Sequence, residues 1–430
     1  MLRFLLVLAA LALCTSAAAQ AGPIVRVKVL ARASTASVIV EPQRGSARVY
    51  ADRSSTPLAT LLPGTTVTLE RVSDRVRVRY PGGTVQAGVV EVVPDEGAPL
   101  SIRSGTHRRS YHGALSVERD PERQASLRLV NYVPLEDYVA SVVASEYPFT
   151  EIEGVKAQAV LARTYVLRAA NPRNPFDVTD DTGSQVYRGA EVVTDVARAA
   201  AEATHGEVLR YGTALVEATY YSSSGGHTAN NEDVWRGAPI SYLRGKPDPF
   251  DRDAPDYRWS TSAEVAGTLR ALGRRYGGTV TGFEIEARAQ DGRVTRVRLL
   301  GNRPQTISGN EFRTVVNGAF GVRTVRSTHF TVTRRGNRYV FEGRGFGHGV
   351  GMSQYGARGR ARAGHSYRDI LAFYFTGTYL DRLDAAPTVA RPYTLADFRS
   401  APAVEAEART RRVRFTGNTE TDEPARRTAW

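Results

Sequence analysis

Residues 135–168 constrain the fold more than any other stretch. Leu135, Tyr138, Val139, Val142 and Val143 recur at three- and four-residue spacing, which gives a helix one apolar face to bury. Pro134 suits the first helical position, and Glu136 and Asp137 fall in the first turn, where the helix dipole favours negative charge. Pro148 drives Tyr147 towards an extended conformation, so this helix is expected to stop near Glu146. A second helix follows, with Ile152, Val155, Ala159, Ala162 and Val166 on one stripe and Lys156 and Arg163 on another. The chain must therefore turn a corner between two packed helices, and the two cations are expected to share a face beside it.

Glu146 sits at that corner. The C-terminal end of a helix carries partial negative charge, which disfavours an ionised carboxylate and raises its pKa, more so where the site is dry. A carboxylic acid kept protonated near neutral pH is what general-acid chemistry requires. Most glutamates simply face water. Lys156 and Arg163 would pull the pKa down again, so these residues alone leave both the role and the sign of the shift open.

The 430 residues suffice for a substantial core with appendages. Arg3, the apolar run from Phe4 to Leu13 and the small residues Ala17 to Ala21 read as a secretory signal peptide over 1–21, too short to span a bilayer. The protein is therefore expected to be exported, to the cell envelope, the periplasm or the exterior. The one cysteine, Cys14, lies in that segment, which leaves no disulfide or thiolate metal site in the mature chain. A formal charge of +13 favours anionic partners. Lysine occurs only at positions 28, 156 and 246, so the charge is almost all arginine. No basic helix, zinc finger or RNA-binding aromatic motif points to nucleic acid.

The expected fold class is α+β. Residues 23–110 read as an accessory β-rich region, with alternation in Val25-Arg-Val27-Lys-Val29 and Val76-Arg-Val78-Arg-Tyr80 and a turn at Pro81-Gly82-Gly83. Residues 111–385 read as the mixed helical and antiparallel core. It opens with strands from Tyr111 and Leu127, and has a helix from Asp195 capped by Thr194 and strands between Val208 and Tyr221. Thr261 and Glu264 are spaced as a capping box for a helix to Tyr276, and 279–342 reads as β-rich with a hairpin at Asp291-Gly292. Ser366 and Asp369 open a last helix, and 386–430 reads as a disordered tail.

Three further stretches hold candidate site residues. Asp180 to Gly189 is turn-rich and contains Gln185 and Tyr187. Tyr220-Tyr-Ser-Ser-Ser-Gly-Gly-His-Thr228 places the hydroxyls of Ser222, Ser223 and Ser224 beside two glycines, without the Gly-x-Ser-x-Gly elbow of a serine hydrolase. Gly343 to Gly356 is the most glycine-dense stretch and contains His348, Ser353 and Gln354. No placement of it yields G-x-G-x-x-G or a Walker loop, which argues against a nucleotide. His348 is either a polar group on the rim of a site or a hydrogen-bonded structural histidine.

Together these stretches resemble the SpoIID/LytB family of bacterial cell-wall proteins. The likeness is carried by Leu135-Glu-Asp-Tyr138, Val143-Ala-Ser-Glu-Tyr-Pro148, Lys156-Ala-Gln-Ala-Val-Leu-Ala-Arg-Thr-Tyr165, the Ser-Gln-x-Tyr-x-Gly loop from Ser184, the Ser-x-Gly-Gly-x-Thr strand end from Ser223, and Gly345-x-Gly-His-Gly-Val-Gly-Met-Ser-Gln-Tyr-Gly-Ala357. Tyr147 stands where the family commonly has Met. The resemblance runs from Tyr111 to Leu380. It implies a lytic transglycosylase acting on peptidoglycan glycan strands freed of stem peptides, with Glu146 as the catalytic acid. Lys156, Gln158, Arg163, Gln185, Tyr187, Ser222, Ser223, Ser224, His348, Ser353 and Gln354 would bind substrate or support the site. Asp180, Asp181 and Glu151 stay open as partners for Glu146.

Some family members are associated with zinc held by a histidine and two cysteines. His227 is available here but no mature cysteine is, so neither metal nor other cofactor is expected. The alternative implied by the same resemblance is a non-catalytic enhancer of a cell-wall amidase, which would then be its partner.

Overall fold

The computed structural model describes residues 23–95 and 97–383. The signal peptide expected over 1–21 and the tail expected from 386 lie outside the described residues. The class is α+β, as the pattern of residues indicated.

Alternating valines build the first half. One sheet runs Val178–Thr179, Ile24–Val29, Leu127–Pro134, Ala114–Arg119, Val89–Pro94, Ala47–Ala51 and Ala59–Leu61. A second runs His107–Tyr111, Leu100–Ser104, Ser37–Pro42, Val67–Val72, Arg75–Tyr80 and Gly83–Ala87. Their inward residues, among them Val25, Val27, Val38, Val40, Val76, Val78 and Val92, form one core. The division expected at residue 110 falls inside these sheets. Ala114–Arg119 pairs with Val89–Pro94, and Leu127–Pro134 pairs with Ile24–Val29, with Val25 opposite Val133.

Eight α-helices occur among the described residues: α1 (Leu135–Glu146), α2 (Ile152–Ala169), α3 (Asp195–Ala203), the single turn α4 (Asn231–Val234), α5 (Val265–Tyr276), α6 (Gly309–Phe320), α7 (Gln354–Arg362) and α8 (Tyr367–Tyr374). Helix α1 leaves the strand Leu127–Pro134 without a loop and packs Tyr138, Val139, Val142 and Val143 into the core of the sheets. Thr194 caps α3, and Ser366 with Asp369 forms the capping box of α8.

Helix α2 is covered on two sides. Val155, Ala159, Ala162 and Val166 face the core of the sheets. Ala157, Val160 and Leu161 face a second core with Leu209, Tyr220, Met352, Ile370 and Phe375. Ile152, expected on the apolar stripe, is exposed. A helix buried on both sides must satisfy its polar residues internally. This overturns the shared cationic face: Arg163 is fully buried, donates to both Glu136 carboxylate oxygens at 2.9 and 2.5 Å and reaches the Glu207 carbonyl at 3.0 Å. Lys156 instead pairs with Glu153 at 2.7 Å.

Residues 259–343 form a unit with its own core of Leu272, Val297, Phe312, Phe330 and Phe341. The helix expected from Thr261 begins at Val265, because Trp259–Glu264 is a strand paired with Arg338–Gly343. Helix α6 was not read from the sequence, although Ser308 and Glu311 form a full capping box there. Asp291-Gly292 does lie at the turn between the strands Val280–Arg288 and Val294–Gly301.

Candidate active site

Glu146 is the last residue of α1 and is only 9% exposed. Its Oε1 accepts the Val186 N–H at 2.7 Å, and its Oε2 accepts the Tyr220 hydroxyl. Burial lifts the carboxyl to about 7, against the downward pull of the Tyr220 and Val186 hydrogen bonds. No lysine or arginine among the described residues pairs with it, so the shift left open by the sequence is upward.

The Tyr220 hydroxyl is aimed by a chain of donors. Tyr138 donates to Gln185 Oε1 at 2.9 Å, Gln185 Nε2 donates to the Tyr220 oxygen at 3.0 Å, and the Tyr220 hydroxyl donates its hydrogen bond to Glu146 Oε2. A hydroxyl has one hydrogen to give, so the direction of this chain is fixed by the amide at its centre. Tyr187 lies against the Tyr138 ring at 5.3 Å and anchors on Asn131 at 2.8 Å; it frames the chain and does not join it. Gln354 Nε2 donates to the Glu146 carbonyl at 3.0 Å, satisfying one of the orphan acceptors of a helix end, and lies 3.5 Å from Gln158 Oε1.

Behind Tyr220 lies the glycine-dense segment. Tyr220–Tyr221 pairs in parallel with Met352–Ser353. Gly351 has φ +79°, and a Cβ there would stand 2.2 Å from the Thr219 carbonyl oxygen, so only glycine lets these strands close. His348 is buried beneath Tyr220, with Nε2 2.9 Å from the Tyr220 carbonyl. It is a structural group and not part of a rim.

Ser223 and Ser353 also turn inward. Both donate to Asp251, at 2.7 and 2.6 Å, and the Gly225 N–H adds a third bond at 2.8 Å. Ser224 is fully buried and accepts the Gly226 N–H at 3.1 Å. These three hydroxyls hold the loop in shape, whereas Ser222 keeps partial exposure. The carboxylates left open as partners for Glu146 are engaged elsewhere: Glu151 with Arg358 and Arg362, Asp180 with the Leu30 and Ala31 N–H groups, Asp181 with Arg32. His227 Nδ1 lies 2.7 Å from the Thr228 carbonyl, and among the described residues no three His, Cys, Asp or Glu side chains converge as a metal set.

Sequence reasoning missed four residues of this site. Tyr138 and Tyr220 lay inside quoted motifs but looked like apolar packing. Tyr165, at the end of the α2 motif, is half-buried, and its phenol is pushed up to about 12 by burial and then by the Glu146 charge. Asp251 lies in a loop with no motif, and burial raises its carboxyl.

The chain is similar to known proteins over much of its length. A family model described as Stage II sporulation protein matches residues 123–211, which include α1, α2, Gln185 and Val186. A second, described as a domain of unknown function (DUF8618), matches residues 249–351. The chain is 32% identical over 283 residues to Stage II sporulation protein D of Bacillus subtilis, covering 62% of this chain and 79% of that protein. It is 34% identical over 257 residues to an uncharacterised protein of Brachyspira hyodysenteriae, covering 58% of this chain and 67% of the other. Similarity to the Amidase enhancer of Bacillus subtilis is 31% over 288 residues, covering 56% of this chain and 39% of the enhancer. At 32% identity over 79% of a stage II sporulation protein D, with the family model matching the region of α1 and α2, the chain belongs to the stage II sporulation protein D (SpoIID/LytB) family.

Proposed function

We propose that the protein is an exported lytic transglycosylase that cleaves the bond between N-acetylmuramic acid and N-acetylglucosamine in peptide-free peptidoglycan strands. The observation that carries this reading is a single, nearly buried carboxyl whose pKa is lifted to about 7. Protonated, Glu146 gives its proton to the glycosidic oxygen. The Tyr220 hydroxyl and the Val186 N–H then steady the carboxylate left behind. That carboxylate takes the proton of the muramic 6-hydroxyl as this oxygen closes a 1,6-anhydro ring. The sugar's own hydroxyl replaces the water that a hydrolase's second carboxylate would activate, so one acid suffices.

The test is incubation of purified protein with peptide-stripped glycan and mass spectrometry for anhydromuramic ends. Product from the parent and none from a folded Glu146→Gln variant is the expected result. A second reading, an enhancer of a cell-wall amidase, is favoured by the likeness to the Amidase enhancer. It predicts no anhydro product from folded parent protein and faster amidase turnover in its presence.

A further inference from the structure

Three residues past Glu146 the chain exposes part of an aromatic ring. Phe149 meets Tyr355 edge to face, with centroids 4.9 Å apart and an interplanar angle of 69°, and both rings are partly open to solvent. Their position is tied to the acid: Gln354 holds the Glu146 carbonyl, and the N–H of the next residue, Tyr355, donates to the Ser222 carbonyl at 3.0 Å. One turn further along α7, the Arg358 guanidinium lies over the Phe149 ring, 4.7 Å from its centroid. Glu151 accepts from Arg358 Nε at 3.1 Å and from Arg362 at 2.5 Å. Among the described residues, nothing accepts a hydrogen bond from the Tyr355 hydroxyl or from the two terminal nitrogens of Arg358.

Two partly exposed rings with unengaged donors beside them have the makings of a carbohydrate site. Ring faces cover the apolar side of a pyranose, and hydroxyl and guanidinium groups take its polar edge. The guanidinium adds selection by charge. Arginine matches a carboxylate in a planar, two-pronged contact, and with Nε committed to Glu151 the two terminal nitrogens are left to make one.

Resting on the transglycosylase reading, we propose that Phe149, Tyr355 and Arg358 form a subsite for a muramic acid residue, with Arg358 binding its free lactyl carboxylate. A stem peptide converts that carboxylate to a neutral amide and removes the charge that Arg358 recognises. The subsite thereby selects peptide-free strands.

The experiment measures binding in the Glu146→Gln background, so that turnover plays no part. The probes are peptide-stripped glycan and the same glycan with its lactyl carboxylates coupled to methylamine. The free-acid form should bind about tenfold tighter, the scale of one charge-assisted hydrogen bond. Adding Arg358→Gln should erase that difference, and adding Tyr355→Ala should weaken both forms. Tyr355→Phe, which keeps the ring, should retain most of the affinity and serves if the alanine variant unfolds. Equal binding of the two glycans, discrimination surviving Arg358→Gln, or no glycan binding by the Glu146→Gln protein overturns the subsite. If discrimination follows Arg358 while the parent makes no anhydro ends, the subsite stands and the proposed chemistry falls.

Discussion

His348 Nε2 lies 2.9 Å from the main-chain carbonyl of Tyr220, while the Val350 N–H points at Nδ1 from 3.2 Å. With Nδ1 accepting, Nε2 must carry the hydrogen, so the ring is the neutral tautomer and donates to Tyr220. Burial pushes its pKa down to about 3, which keeps it neutral throughout the physiological range. The histidine thus acts on Glu146 at one remove, by fixing the residue whose hydroxyl meets the acid.

Tyr220→Phe deletes one of the two bonds that favour ionised Glu146, so the carboxyl pKa should climb further. Under the proposed chemistry, the high-pH limb of kcat/KM on stripped glycan is set by loss of the Glu146 proton near pH 7 and should move up by about one unit. Loss of the hydroxyl that steadies the Glu146 carboxylate once its proton has left should also lower the plateau by about tenfold. A limb that stays in place would separate Tyr220 from the acid.

Stability should depend on pH through the same residue. The folded pKa of about 7 exceeds the ordinary 4.5, so the folded state holds a proton that the unfolded state releases between those values. The fold is accordingly firmest below about pH 4.5 with respect to this group, and loses stability as pH rises through about 7. Glu146→Gln mimics the protonated form. It should stabilise the protein at pH 8 by up to about 3 kcal/mol and do nothing at pH 4, as read by urea unfolding at both values.

Arg163→Met should cost about 3 kcal/mol of stability, because it strands Glu136 after removal of a buried partner. Adding Glu136→Gln should restore much of the loss in the same urea assay. The pH profile of cleavage should not move, since the guanidinium does not touch Glu146.

Asp251→Ala would leave the Ser223 and Ser353 hydroxyls and the Gly225 N–H without their acceptor. A loss of about 2 to 4 kcal/mol is expected, together with faster proteolysis between Ser222 and Thr228. Stripped-glycan cleavage should fall with the folded fraction.

Much of this was written locally. Pro148 marked the end of α1 and so placed Glu146 at its last residue, and Thr194 and Ser366 announced their helices by side chains that cap them. The Ser308 to Glu311 spacing announced α6 as clearly, and was masked by the strands around it. What local spacing could not supply was which side of a helix is covered. Lys156 and Arg163 do lie on one stripe of α2, yet α1, α3 and the Glu207 main chain close over Arg163, while Lys156 stays near the surface. Asp251 was invisible for another reason: the serines it binds lie 28 and 102 residues away, and no repeat or motif marks the loop that carries it.

Because Ile24–Val29 and Ala114–Arg119 flank Leu127–Pro134, the strand that runs into α1 has both its edges filled by chain synthesised earlier. The presumed appendage is thus the cradle from which the acid's helix hangs. Trimming the chain from its beginning should not yield a shorter folded protein at any cut between Ile24 and Leu127, and grafting the motifs onto another scaffold would have to carry these hundred residues with them.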